Sequence, residues 1–455
     1  MAKHSFDYDL IVIGSGAGGS VAAMIAARSG KRVAIIEADT LGGDSPNFGD
    51  VPMSALLHAA KIYGGAKDGQ QFGIRSATVG YNYPSIKAWK DLAVSRAGAG
   101  GSQRFYEAEG ITVYDGAAHF ISPHEITVNR RHLSASYFLI ATGTHWSAPQ
   151  IVGLDKVPHL TPRTAIDIIR PPKSVFIIGG GATGVEFAHL FSTFGSKVHI
   201  AEVAPRLLPR EDDEVSELVE RVFDGQKGVS TLTSTRVVKV ARDGIMKRVT
   251  YVRGDAEFSV KVDEILVAAG KLPTVDIGLE NAGVVYTPKG IEVNDHLQTS
   301  VKHIYAAGDV LGKHMLTHVA LLESRVAAQN ILHRDKVTPN YKAVPRVTYT
   351  VPEIASVGLT EDDCIKRDLA INKASAPINI IGRANTTNTR DGFVKVITDK
   401  KGVILGATIA APCAGELIHE LTLAIQYNLT AQNVATTMHA FPTWSEAIRV
   451  VCSKL

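Results

Sequence analysis

Two glycine clusters carry the clearest chemistry in the sequence. Gly14, Gly16 and Gly19 follow the β-branched run from Tyr8 to Ile13, and Gly179, Gly181 and Gly184 follow Ser174 to Ile178. Each cluster opens a segment with helical spacing of apolar residues, and a second short strand pattern then ends on an acid, Glu37 or Glu202. The last glycine precedes that acid by 18 residues in both copies (37 − 19 and 202 − 184). One G-x-G-x-x-G alone is a weak signal, but two inside full strand–loop–helix–strand–acid units specify dinucleotide binding. Gly14 and Gly179 permit the tight turn out of the strand. Gly16 and Gly181 let a pyrophosphate approach the backbone, and Gly19 and Gly184 let the helix pack on the sheet. The phosphates then meet unpaired N–H groups at the positive helix end. Glu37 and Glu202 are placed to accept hydrogen bonds from ribose hydroxyls.

Two such sites in one chain suggest two different dinucleotides. In the second, the Glu202 carboxylate would repel the 2′-phosphate of NADP, so NAD(H) is expected over NADP(H), unless Glu202 points into solvent and selects nothing.

These loops need parallel sheets behind them, and the chain is long enough to build them. Its 455 residues suggest about three domains. Apolar residues at 45% and charged residues at 20% are the balance of a globular chain with a large core. The formal net charge of +3, with no basic run of five or more, argues against a nucleic-acid or anionic-membrane surface. No apolar run reaches the ~18 residues of a membrane span, and with a strand pattern beginning near Tyr8 no signal peptide is expected. The three cysteines, Cys364, Cys413 and Cys452, are far apart and lack C-x-x-C or metal-type spacing. A disulfide framework is excluded, no metal site is expected, and Cys452 reads as a packed thiol. From about Thr338 the texture changes. Val347 to Gly358 and Gly392 to Ile409 alternate like antiparallel strands, with a hairpin turn at Asp399 to Gly402, and Gly415 to Asn428 has helical spacing. A further helix is expected near Tyr83 to Val94.

In these motifs the chain resembles the pyridine nucleotide–disulfide oxidoreductases, flavoproteins such as dihydrolipoamide dehydrogenase, glutathione reductase and mercuric reductase. The resemblance covers nearly the whole chain. It implies an α/β fold: an FAD-binding domain over 1–150 and 271–340, an NAD-binding domain over 151–270, and an α+β dimerisation domain over 341–455. It assigns FAD to Gly14, Gly16, Gly19, Glu37, Gly43 and Ala117, and to Thr142 and Gly143 of the strand-end motif. It adds Gly308 and Asp309, whose carboxylate would hold the ribityl chain, and Thr317 and Ala320 beside the flavin. NAD falls to Gly179, Gly181, Gly184, Glu202 and Gly270. The C-terminal domain, including Gly415 to Ile418, implies a homodimer. Ser453-Lys454-Leu455 would match a peroxisomal address in a eukaryote; otherwise the cytoplasm is expected.

The departures from the family pattern are sharper than the matches. Gly42, Gly43, Asn47, Gly49 and Pro52 align with the family's redox motif, yet Ser45 and Asp50 stand where it has two cysteines. Ser54 replaces the lysine that would pair with Glu186, and Phe441 replaces the catalytic histidine, while His439 and Glu446 of that motif remain. Thiol–disulfide exchange needs an attacking and a leaving thiolate, so disulfide reduction through this motif is not expected. The resemblance instead implies an FAD-dependent NAD(P)H oxidoreductase of diaphorase or quinone-reductase type. Its acceptor would be a quinone, a small oxidant, a metal or oxygen. Asp50 would either exchange a proton with flavin or acceptor, its pKa raised by desolvation, or merely cap, with Ser45, the helix starting near Pro52. Ala182 would leave the nicotinamide site open. Phe441, with Trp444, would make the acceptor pocket more apolar or plug it. Glu186 would lie near the nicotinamide, and Glu446 and His439 would hold the dimer loop. The alternative is a weakly active protein that binds FAD and NAD as a structural or redox-sensing partner.

Overall fold

The computed structural model describes residues 6–75, 78–98, 102–226 and 228–455. The chain divides into two compact units: Met1–Ala55, Ser85–Ser147 and Gly270–Pro339 form one, and Leu56–Pro84, Ala148–Ala269 and Asn340–Leu455 the other.

The first unit is built on parallel strands in the order Ile111–Asp115, Val33–Glu37, Tyr8–Ile13, Arg131–Ile140, with Ile304–Ala306 on the far side of the last. The strands read as apolar runs because both faces are covered. Leu10, Ile11, Val12, Ala34, Ile35, Phe138 and Leu139 are all buried. The registers Ile13↔Ile36, Ile13↔Ile140 and Ala306↔Ile140 bring the carboxyl ends of four strands level. Gly14, Glu37, Ala141 to Gly143 and Gly308 therefore leave the sheet along one edge, where open α/β sheets bind their ligands. The lower half of Arg131–Ile140 continues into an antiparallel meander with Glu125–Val128 and His119–Ser122.

The second unit repeats the plan. Val229–Leu232, Lys197–Ala201, Ser174–Ile178 and Glu264–Val267 form a parallel sheet, and Thr235–Asp243, Met246–Arg253 and Ala256–Val262 form a meander. The same unit holds a five-stranded antiparallel sheet in the order Pro345–Thr348, Glu353–Gly358, Ile404–Ala411, Phe393–Asp399, Ile371–Pro377. Helices Ala414–Gln426 and Glu446–Cys452 share its apolar core. The expected strand at Val347 to Gly358 is two strands, because Thr350 to Pro352 turn the chain between them. The hairpin turn at Asp399 to Gly402 stands: Asp399 Oδ1 accepts from the Lys401 and Val403 amides, and Gly402 has φ +83°. Helices occupy Tyr83–Ala97 and Asp50–Lys67, the latter starting two residues before Pro52. Among the described residues no helix is long and apolar enough to cross a membrane.

Candidate active site

The two glycine loops are near copies in atomic detail. Gly14 (φ +102°) and Gly179 (φ +114°) make the turn out of each strand, donating N–H to Ile36 O at 2.8 Å and Ala201 O at 2.9 Å. A Cβ on Gly19 would overlap the Gly14 carbonyl oxygen, and one on Gly184 the Gly179 oxygen, so only glycine lets each helix sit this close. Gly16 and Gly181 cap the 12-residue helices Ala17–Arg28 and Ala182–Thr193 without a side chain. First-turn amides of such helices have no intrahelical acceptor. A Cβ on Gly181 would meet no heavy atom within 4 Å, and one on Gly16 would meet only Gly43 Cα, at 3.8 Å. Both loops thus leave room for a pyrophosphate at a positive helix end.

The acids are held in the same way twice. Glu37 Oε2 accepts from Ser15 N at 2.9 Å and Oε1 from Asp39 N at 3.0 Å. Glu202 Oε2 accepts from Gly180 N at 2.7 Å and Oε1 from Ala204 N at 2.9 Å. Neither carboxylate is a loose surface group; each is fixed by two backbone amides at the mouth of its loop. These features fit a dinucleotide at each site.

Farther along the first site, Gly308 (φ +83°) packs against Ala320, where an added Cβ would come within 3.3 Å of the alanine methyl. Gly308 N donates to the buried Glu323 Oε2 at 2.7 Å. Asp309 Oδ2 accepts from Lys271 Nζ at 2.8 Å. Thr142 Oγ1 donates to Thr274 O at 2.6 Å, so its hydroxyl braces the strand-end turn. Gly143 has φ +66° and Gly270 φ +88°, and Gly270 O accepts from Ser147 N at 2.7 Å. Ala117 is exposed beside Gly116 at φ +137°. Glu323, Lys271 and Ser15 escaped the sequence reading. Their only signals were an acid inside an apolar helix and a lysine and a serine next to motif glycines.

Ser45, Asp50 and Thr317 come together. Ser45 Oγ donates to Asp50 Oδ2 at 2.7 Å, and Thr317 Oγ1 donates to the same oxygen at 2.6 Å. An ionised carboxylate is acceptor-only and so matches two hydroxyl donors. Asp50 is exposed.

The remaining acids and histidine lie in the second unit. Glu186, on the helix that opens at Gly181, is buried and its Oε1 accepts from Tyr349 N at 2.9 Å. A backbone amide thus serves the carboxylate whose family partner is Ser54 here. Glu186→Gln keeps an acceptor and is expected to leave stability nearly unchanged, whereas Glu186→Ala removes the acceptor of the Tyr349 amide at a cost of about 1–3 kcal/mol, read by denaturant unfolding. One turn on, His189 faces the same Thr350 to Pro352 turn across a small cavity, and burial pushes its pKa down to about 4.

His439 bridges Thr437 O and Glu420 Oε1, each at 2.8 Å, and so pins its loop. Glu446 Oε2 is enclosed and has no hydrogen-bond partner among the described residues. Both line an open hollow with Met438, Phe441 and Arg449. Phe441 is exposed, while Trp444 packs on the C-terminal core. Cys452 is buried and its thiol is pushed up to about 12 by that burial, with the Glu420 charge adding to it. Cys364 and Cys413 are also unpaired. No group of three or more His, Cys, Asp or Glu among the described residues could hold a metal ion.

Residues 8–324 match the pyridine nucleotide-disulphide oxidoreductase family, and residues 344–451 match its dimerisation domain. The chain belongs to this family. A dihydrolipoyl dehydrogenase from Thermus scotoductus is 35% identical over 449 residues, spanning 97% of this chain and 96% of that protein. A mercuric reductase from Streptomyces lividans is 35% identical over 452 residues, spanning 97% and 95%. Among solved structures, the Cu(II) complex of the HOCl-induced flavoprotein disulfide reductase RclA from Escherichia coli superposes with a TM-score of 0.89 at 27% identity, over 100% of both chains. The α/β fold, the FAD loop and the C-terminal dimerisation domain are therefore those of FAD-dependent pyridine nucleotide oxidoreductases.

Proposed function

We propose that this chain is an NADH-dependent flavoenzyme whose electron acceptor is not a disulfide. The acceptor classes are a quinone, another small oxidant, a metal ion and dioxygen. The observation that carries this reading is the Ser45–Asp50 hydrogen bond. It stands where the family motif would place an interchange thiol beside a second thiol. A hydroxyl and a carboxylate can neither attack a disulfide nor leave as thiolates. The remaining cysteines are unpaired, and Phe441 has no proton to give a departing thiol.

The two glycine loops support the dinucleotide half of this reading. The Gly14–Gly19 and Gly179–Gly184 loops present backbone amides to a pyrophosphate, and Glu37 and Glu202 stand ready for ribose hydroxyls. Because two amides fix Glu202 at the loop mouth, its charge faces any 2′-phosphate, which supports NADH over NADPH. Bound FAD supplies two-electron acceptance from the nicotinamide and release to the acceptor. For a two-electron acceptor A the balance is NADH + H⁺ + A → NAD⁺ + AH₂. The added proton comes from solvent. The dimerisation domain supports a homodimer as the working form.

Anaerobic titration of the yellow protein with NADH tests the reading. The expected result is two-electron bleaching of the flavin without a long-lived thiolate charge-transfer band, and much weaker bleaching by NADPH. A flavin that stays oxidised under excess NADH would point instead to a protein that binds both dinucleotides as a structural or redox-sensing partner.

A further inference from the structure

The Ser45–Asp50–Thr317 cluster has an order and a charge that the function above does not use. Within the first unit the dinucleotide site runs in sequence from Glu37, beside Ser15, to the Gly16 helix start where Gly43 crosses it. It continues to Ala307 and Gly308, which lie against Gly18: a Cβ there would come within 2.8 Å of the Ala307 oxygen. Ala320 follows, touching Gly308, and Thr317 opens the same helix one turn earlier. A dinucleotide with its adenosine ribose at Glu37 and its pyrophosphate at Gly16 therefore directs its other half toward Gly308 and Thr317. Asp50 stands at that end, bonded to Thr317. Asp50 opens an 18-residue helix and Thr317 a 16-residue one, so two positive helix ends meet at this carboxylate.

The geometry points to Asp50 as a fixed negative charge that lowers the reduction potential of the flavin bound in the first site, with Ser45 and Thr317 as positioning residues that hold it. This rests on the proposed function only in that the first site must hold FAD. Reduction adds negative charge to the ring system, and a nearby anion makes that addition less favourable. A flavin so tuned gives up electrons more readily to whichever acceptor reoxidises it. The two hydroxyl donors carry no charge and fix the carboxylate without neutralising it; the helix ends offset part of its charge, but they remain in the neutral variants, so the comparison with Asp50→Asn still reads the carboxylate.

Spectroelectrochemical titration with mediators, independent of NADH, reads the flavin midpoint potential directly. Asp50→Asn is expected to raise it enough to shift the equilibrium with NADH toward reduced flavin by about tenfold, equivalent to ~30 mV for a two-electron couple. Asp50→Glu, which keeps the charge, is expected to stay near wild type. Asp50→Ser serves as a second neutral variant should the Asn protein lose FAD. Neutral variants with an unchanged potential, in a background where NADH bleaches the wild-type flavin, overturn this role and leave the proposed function standing. Failure of NADH to bleach the wild type while the neutral variants still shift the potential overturns the proposed function and supports the charge assignment.

Discussion

Gly14→Ala is expected to yield a folded protein that purifies without its yellow colour, with FAD affinity lowered by about 100-fold, or ~2.7 kcal/mol. The substitution meets two obstacles at once. At φ +102° any side chain is strained, by roughly 1–2 kcal/mol. The added Cβ would also overlap the Ala141 carbonyl oxygen. That carbonyl cannot retreat freely, because Ala141 N is bonded to Ile13 O at 2.8 Å and the next residue, Thr142, is bonded to Thr274 O. Relief must come from the loop between strand and helix, where the pyrophosphate amides are. Gly181→Ala provides the contrast. Its φ is −74° and a Cβ there meets nothing within 4 Å, so the fold gains a methyl group at no steric cost. The methyl occupies the space in front of the second helix, so the KM for NADH is expected to rise about tenfold, ~1.4 kcal/mol, with FAD content unchanged. The flavin-to-protein absorbance ratio and reconstitution with added FAD measure the first effect, and steady-state kinetics the second. A Gly14→Ala protein carrying a full complement of FAD would show that the turn yields without disturbing the loop.

Why the glycine loops were legible from sequence, and other parts of the site were not, has a physical reason. Residue type encodes a positive φ and a missing Cβ directly, so Gly14, Gly19, Gly179 and Gly184 announce their geometry. The helix–strand spacing then fixes where Glu37 and Glu202 must lie. The Thr317–Asp50 hydrogen bond joins residues 267 apart, and nothing local to either names the other. Glu186 is a second case: its carboxylate accepts from the Tyr349 amide, and sequence does not say which backbone passes by. Phe441 is exposed while Trp444 packs on the C-terminal core, a difference that two aromatic residues three positions apart do not reveal in a sequence. Lys395 was invisible for a different reason. Lysine at an alternating strand position reads as a solvent-facing residue, and its burial follows from acids supplied by distant helices.

That lysine carries the largest stability effect expected in the second unit. Lys395, with 2% of its side chain exposed, lies 2.9 Å from both oxygens of Glu214, 2.9 Å from Glu361 and 3.5 Å from Asp212, itself 4% exposed. On another strand of the same sheet, Arg346 forms a two-bond pair with Glu211 at 2.9 and 3.1 Å. The acids at 211, 212 and 214 precede or open the helix Asp213–Asp224, whereas Lys395 and Arg346 come from the antiparallel sheet. Removing one partner of a buried pair costs more than the pair contributes, because the other charge stays buried alone. Lys395→Met is therefore expected to destabilise by about 3–5 kcal/mol in denaturant unfolding. Pairing it with Asp212→Leu should recover part of that loss, which non-additivity in a double-mutant cycle would register. The pH dependence has two signs. Hydrogen bonds from Lys373 and Lys395 hold the Glu361 carboxyl below its ordinary range, so its contribution is present above that range and is lost as pH falls through the folded value. Burial pulls the Lys395 ammonium down, but hydrogen bonds to Glu214 and Glu361 and the charge of Asp212 raise it overall. Its contribution is therefore complete below the ordinary lysine range and is lost as pH rises through the folded value. Stability of the wild type should fall at both extremes. Lys395→Met should flatten the alkaline limb in particular, since the group that titrates there is gone. A wild-type-like alkaline limb in the variant would mean that another base, and not Lys395, controls it.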